Sequence, residues 1–127
     1  MKIWAGAVVA VIVGFATQAF AQSGDSAKGQ RVFNQQCRAC HTLEKGGAQA
    51  VGPNLHGVFG RKAGTAEGFA FSEAMVKSGI VWDDKTMAEY NHDPKGKVPG
   101  TKMVFNGVKQ QGQLDDLVAT VIEPAIA

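Results

Sequence analysis

The sequence predicts an all-α domain of three to five short helices joined by long loops, with the first and last helices crossing. Three observations carry this. Apolar residues recur at i, i+3, i+4 spacing near both ends of the chain. No convincing period-2 alternation, the mark of a half-buried strand, lies between them. Glycine makes up 16 of the 127 residues, well above the usual share of about 7%, and it breaks the middle of the chain into turns. Such a chain reads as wrapped around something other than its own side chains.

After Met1 come Lys2, an apolar run from Ile3 to Ala16, and Thr17-Gln18-Ala19-Phe20-Ala21. A basic start, a short apolar core and a small-x-small ending are the parts of a secretory leader, and the run is shorter than a membrane span needs. The expected division is therefore a signal peptide over 1–21, cleaved after Ala21, and one domain over 22–127. The rival is an uncleaved membrane anchor. Gln22 to Ser26 forms a polar lead-in, with Ser23 or Asp25 able to cap a helix from Ala27 to about Arg38. Gly29, Val32, Phe33, Gln36 and Cys37 share one face of it. A glycine on a buried helix face costs about 1 kcal/mol against alanine, so Gly29 marks the close approach of a second helix. That helix is the last one, where Leu114, Leu117, Val118 and Val121 repeat until Pro124 stops the pattern. The crossing is expected at Gly29 and Phe33 against Leu117 and Val121. Between them, Thr42 to about Phe71 is a long glycine-punctuated loop, which in a compact domain implies a functional task. Ser72 caps a short helix ended by Gly79. Asp83 opens another that Pro94 closes, and Lys95 to Lys109 is again loop.

The chemistry centres on Cys37-Arg38-Ala39-Cys40-His41. Two cysteines three apart with histidine next is the pattern of covalent haem attachment. Each thiol adds across one vinyl group of the porphyrin, and the following imidazole reaches the proximal axial position on iron. A zinc half-site or a redox disulfide would also use a CxxC pair, but a thioredoxin-like dithiol needs a βαβ pattern that is missing. Both cysteines fall in this motif, so none is left for a structural disulfide. Export agrees with it, because haem is attached to such motifs on the far side of a bacterial membrane. Without Lys2 the balance is 12 basic against 11 acidic residues, which leaves no nucleic-acid footprint.

The sixth iron position decides between carrier and enzyme. Its candidates are Met75, Met87, Met103, His56 and His92. Met103 is favoured, since Pro99-Gly100-Thr101-Lys102 forms a rigid turn that presents one side chain from a loop. Met75 and Met87 sit at helical spacing, where methionine is packing material. His56 reads as a structural histidine and His92 as a solvated one. A neutral thioether opposite the imidazole favours reduced iron and raises the potential.

The ordered set Gly29 and Phe33, Cys37 to Thr42, Gly52-Pro53-Asn54-Leu55-His56-Gly57, Phe59-Gly60-Arg61, Trp82, Tyr90, and Pro99 to Met103 with Phe105 resembles the class I c-type cytochromes. These include mitochondrial cytochrome c and its soluble bacterial relatives. The resemblance covers Gly29 to about Val121 and implies their small all-α fold, with one haem c bound through Cys37 and Cys40 and ligated by His41 and Met103. It further implies that the Pro53 carbonyl accepts from the free ring nitrogen of His41. Arg61, Trp82 and Thr101 contact the haem propionates, Tyr90 places its hydroxyl near the Met103 sulfur, and Phe105 packs by the exposed haem edge.

Two departures stand out. Phe71 replaces a tyrosine that in many relatives bonds a propionate, and Met75 replaces an asparagine of the polar network near Tyr90. Arg31, Arg38, Lys45, Lys95, Lys102 and Lys109 lie near the haem edge, while Gln36, Ala48 and Ala50 stand where lysines are common. The expected function is that of a soluble, monomeric one-electron carrier, not an enzyme. It would work in the periplasm or the intermembrane-space equivalent, between membrane-bound redox complexes with acidic docking surfaces, and without nucleic acid or a small-molecule substrate. The alternative is a haem c protein with an open or labile sixth site, a peroxidase-like enzyme or a small-ligand sensor.

Overall fold

A computed structural model describes residues 24–126, together with Gly14. The leader expected over 1–21 lies outside the described residues apart from that glycine. Five helices follow in order: α1 (Ser26–Gln36), α2 (Glu73–Lys77), α3 (Asp84–His92), α4 (Pro94–Lys97) and α5 (Gln111–Ile126). Among the described residues the only extended pairing is an isolated antiparallel bridge between Lys62 and Val81. It is flanked by bonds from Gly60 N–H to the Trp82 carbonyl and from Ala63 N–H to the Ile80 carbonyl. A contact this short leaves no period-2 pattern in the sequence.

Capping sets most helix starts. The Asp25 carboxylate accepts from the N–H groups of Ala27 and Lys28 at the head of α1, and Ser72 accepts from Met75 N–H at the head of α2. Asp83 and Thr86 form a reciprocal capping box on α3. The end of α1 comes slightly earlier than expected. The Phe33 carbonyl accepts from both Cys37 and Arg38 N–H, so the chain leaves the helix at the first cysteine. The α4 turn was expected as loop. Asp93 closes α3 and at the same time caps α4 by accepting from Gly96 N–H, while Pro94 at the first helical position loses no bond. At the other end α5 runs past Pro124 to Ile126. A proline in a final turn removes only one backbone donor.

The expected crossing is present, and α1 and α5 are the most extensively packed helix pair. A Cβ at Gly29 would run into the Asp116 carbonyl and the Thr120 hydroxyl, so the backbones meet there. Asp25 N–H donates to the Asp116 carboxylate at 2.8 Å. The buried Thr120 hydroxyl donates to the Ser26 carbonyl at 2.7 Å, a tie hidden in an apolar stripe. Val32, Phe33, Leu114, Leu117, Val118 and Val121 are buried around this crossing. Phe33, Leu117 and Val121 also turn toward a central cavity.

Candidate haem site

Between the helices and the long loops lies a cavity of about 240 Å³. All ten residues expected at the site line it: Cys37, Cys40, His41, Pro53, Arg61, Trp82, Tyr90, Thr101, Met103 and Phe105. His56 and His92 do not. His92 is exposed, with Nδ1 lying 3.1 Å from the Val108 carbonyl oxygen. His56 is half-buried, and its Nδ1 has no partner.

The motif is a single tight turn. Cys40 and His41 N–H groups both donate to the Cys37 carbonyl at 3.0 Å, which brings the two thiols to one wall with the imidazole beside them. Both cysteines are free. Burial, together with the neighbouring Cys40, pushes the Cys37 thiol up to about 11. His41 Nδ1 lies 2.8 Å from the Pro53 carbonyl oxygen. A carbonyl can only accept, so Nδ1 carries the proton and Nε2 keeps its lone pair. Burial holds His41 below the usual imidazole range, only partly offset by that hydrogen bond, and the ring stays neutral, as a metal ligand must. Gly52 makes the approach possible, because a Cβ there would land on the His41 ring.

Asn54 holds the loop beyond the histidine. Its amide donates to the Thr42 hydroxyl at 2.7 Å and the Glu44 carbonyl at 2.9 Å, while its oxygen accepts from His56 N–H. Arg61 reaches back to the His56 carbonyl at 3.3 Å. On the other side, Trp82 and Tyr90 pack with ring centroids 5.4 Å apart. The Tyr90 hydroxyl is paired with the Thr101 hydroxyl at 2.7 Å. Met75 and Met87 are buried and Phe71 half-buried in that side of the cavity wall, beside Ser72 and Asn91. Three features escaped the sequence reading. Gln49 bonds the Glu67 carbonyl, Lys102 bonds the Ala70 carbonyl, and Lys62 and Thr65 join the lining.

The donor set fits haem c. Two unpaired thiols, an imidazole with one nitrogen committed and one available, and a thioether face one largely apolar cavity with an arginine, an indole and hydroxyls around it. An all-α frame built on such a site defines a protein of the haem c type. The cytochrome c family model matches residues 26–119. The chain is 43% identical to cytochrome c of Kluyveromyces lactis over 80% of its own length and 93% of the relative's. It is 48% identical to cytochrome c2 of Blastochloris viridis, over 84% and 83%, and 47% identical to cytochrome c of Chlamydomonas reinhardtii, over 81% and 92%. The chain belongs to the cytochrome c family. It is an electron carrier using haem c rather than an enzyme, and the spacing of Cys37 and Cys40 fits covalent attachment. Among the described residues no helix is long and apolar enough to cross a membrane.

Proposed function

We propose that the chain passes single electrons between membrane-bound redox complexes, with His41 and Met103 as the two axial ligands of its haem iron. When bound, haem supplies an iron that gains and loses one electron. His41 is oriented by its bond to Pro53, which also raises the basicity of Nε2. Met103 contributes a neutral thioether that favours the reduced state. Arg61, Trp82 and Thr101 would contact the propionates, the guanidinium opposing charges that are costly to bury unpaired and the indole N–H and hydroxyl donating to them. Tyr90 orients the Thr101 hydroxyl, and Phe105 covers the exposed edge. Held by both His41 and Met103, the haem would leave no position for a substrate and would need little rearrangement to carry one electron.

The observation that carries this reading is the single cavity lined by both thiols, by an imidazole with its Nδ1 committed, and by Met103. An absorption spectrum tests it. Low-spin oxidised iron with a thioether-to-iron band is expected, and Met103→Ala abolishes that band. High-spin iron that readily takes up carbon monoxide in the unsubstituted protein would overturn it.

The same reading takes residues 1–21 as a cleaved leader, 22–127 as the working domain, and the periplasm or its equivalent as the compartment. Mass spectrometry of the exported protein should give a chain starting at Gln22 with one haem added. A retained leader in the membrane fraction would refute this. Arg31, Arg38, Lys45, Lys95, Lys102 and Lys109 are exposed and form a basic, monomeric docking face for acidic partners. Steering by six dispersed cations weakens with salt, so association rates measured by stopped flow should fall as ionic strength rises.

A further inference from the structure

Four asparagines stand in the chain, at 34, 54, 91 and 106, and three of them are locked. Asn34 Oδ1 accepts from the Gln30 amide and the Arg38 guanidinium. Asn54 is held by the Thr42 hydroxyl, the Glu44 carbonyl and His56 N–H, and the Asn91 amide donates to the Met87 carbonyl at 2.9 Å. The backbone N–H that follows each is committed as well. Leu55 N–H donates to the Thr42 carbonyl at 2.8 Å, while Gln35 and His92 lie within α1 and α3, where N–H groups donate to the carbonyl one turn back.

Asn106 is the exception. It is exposed, and among the described residues no hydrogen bond holds its side chain or the Gly107 N–H. The residue after it also lacks a side chain to shield its nitrogen, whereas Gln35, Leu55 and His92 follow the other three. Lys109 stands beside this junction, its Nζ 3.0 Å from where a Cβ on Gly107 would be and 2.6 Å from the His92 carbonyl oxygen. A cation there favours loss of the neighbouring amide proton.

We propose that Asn106 and Gly107 form a site of spontaneous intramolecular deamidation, which places a carboxylate in the basic docking face as the molecule ages. The Gly107 nitrogen, having given its proton to solvent, bonds to Asn106 Cγ. The Cγ–Nδ2 bond breaks, the departing nitrogen takes up a proton from water and leaves as ammonia, and a cyclic imide remains. Water then opens the ring at either carbonyl, giving aspartate or its isoaspartyl isomer, and nothing is oxidised or reduced. Either product exchanges a neutral amide for an anion between Lys102 and Lys109 in the chain. The isoaspartyl form also adds a methylene to the backbone beside Gly107, which has no slack: a Cβ on it would lie 1.9 Å from the His92 carbonyl oxygen. The site itself stands on local geometry, and its effect on docking rests on the basic face proposed above.

The test ages the holoprotein at mildly alkaline pH and maps its peptides by mass, with a denatured portion in parallel. Residue 106 should convert first, with Asn34, Asn54 and Asn91 intact when half of it has reacted. Lys109→Gln should slow conversion about fivefold, the effect of one charge a few ångström away in water. Asn106→Gln, whose ring would be larger, should abolish it. Asn106 staying intact in the folded protein while the denatured chain converts would overturn the site, as would equal rates at all four asparagines. The docking effect is read with ferricyanide, an anionic oxidant, on the reduced holoprotein. Asn106→Asp should slow that reaction about threefold at low ionic strength and leave it unchanged at high salt. An unaltered rate at low salt would overturn the effect on docking and leave the deamidation site standing.

Discussion

The crossing of α1 and α5 and the loops around the cavity are held by different means. At the crossing, backbone meets backbone at Gly29, six apolar side chains are buried, and Thr120 and Asp116 tie the helices by hydrogen bonds. The loops between residues 42 and 71 bury little beyond Leu43, Val58 and Ala63. They depend on turns and on single side chains such as Asn54 and Gln49 that reach across to carbonyls. Much of their apolar surface faces the cavity rather than another part of the chain. The helical pair therefore makes its own core, whereas the loop half takes its core from the cofactor.

The largest effect should come from withholding that core. A Cys37→Ser/Cys40→Ser chain, which cannot attach haem, should lose cooperative thermal unfolding. Any residual hydrogen-exchange protection should lie in α1 and α5. Protection persisting in residues 42–71 would break the contrast. Next is Gly29→Ala, which gains about 1 kcal/mol of helix propensity but drives a methyl into the Asp116 carbonyl. A net loss of about 2–3 kcal/mol is expected from denaturant titration, as for other overpacked sites. Thr120→Val, which strips the Ser26 carbonyl of a buried donor, should cost about 1–2 kcal/mol by the same measurement.

In the cavity wall, Met75→Asn puts an amide dipole where a thioether packs. Oxidised iron carries more charge and gains more from it, so the midpoint should fall by on the order of 40 mV, equivalent to about 1 kcal/mol for one electron. A redox titration reads this directly. The smallest effect belongs to the exposed cap of α3. Hydrogen bonds from the Thr86 backbone and side chain hold the Asp83 carboxyl below the usual carboxylate range. Its contribution is thus complete above that range and lost as pH falls through the lowered value. Asp83→Ala should cost about 1 kcal/mol near neutrality, and the difference from the unsubstituted protein should vanish in acid.

What was readable from the sequence follows the same division. Gly29 and the apolar repeats of α1 and α5 gave away the crossing, because helical periodicity is written in local spacing. The motif at 37–41 and the turn at 99–103 were legible for the same reason. Contacts made by one side chain to a remote carbonyl leave no such trace. Gln49 and Glu67 are 18 residues apart, and Lys102 and Ala70 are 32 apart; neither pair recurs with any period. Gly52 was readable as a turn, but its need to lie bare against the His41 ring was not. Thr120 hides because its hydroxyl serves a carbonyl on another helix. Asp93 hides α4 because one residue ends a helix and begins the next.

The fastening made by Gln49 has a chemical consequence of its own. A carboxamide neither gains nor loses a proton in ordinary water, so its grip on the Glu67 carbonyl is indifferent to acidity. An imidazole in that place would let go or tighten as its surroundings soured. This loop is closed by a clasp that external acid cannot pick, whereas the Asp83 cap at the head of α3 is released as acid protonates its carboxylate.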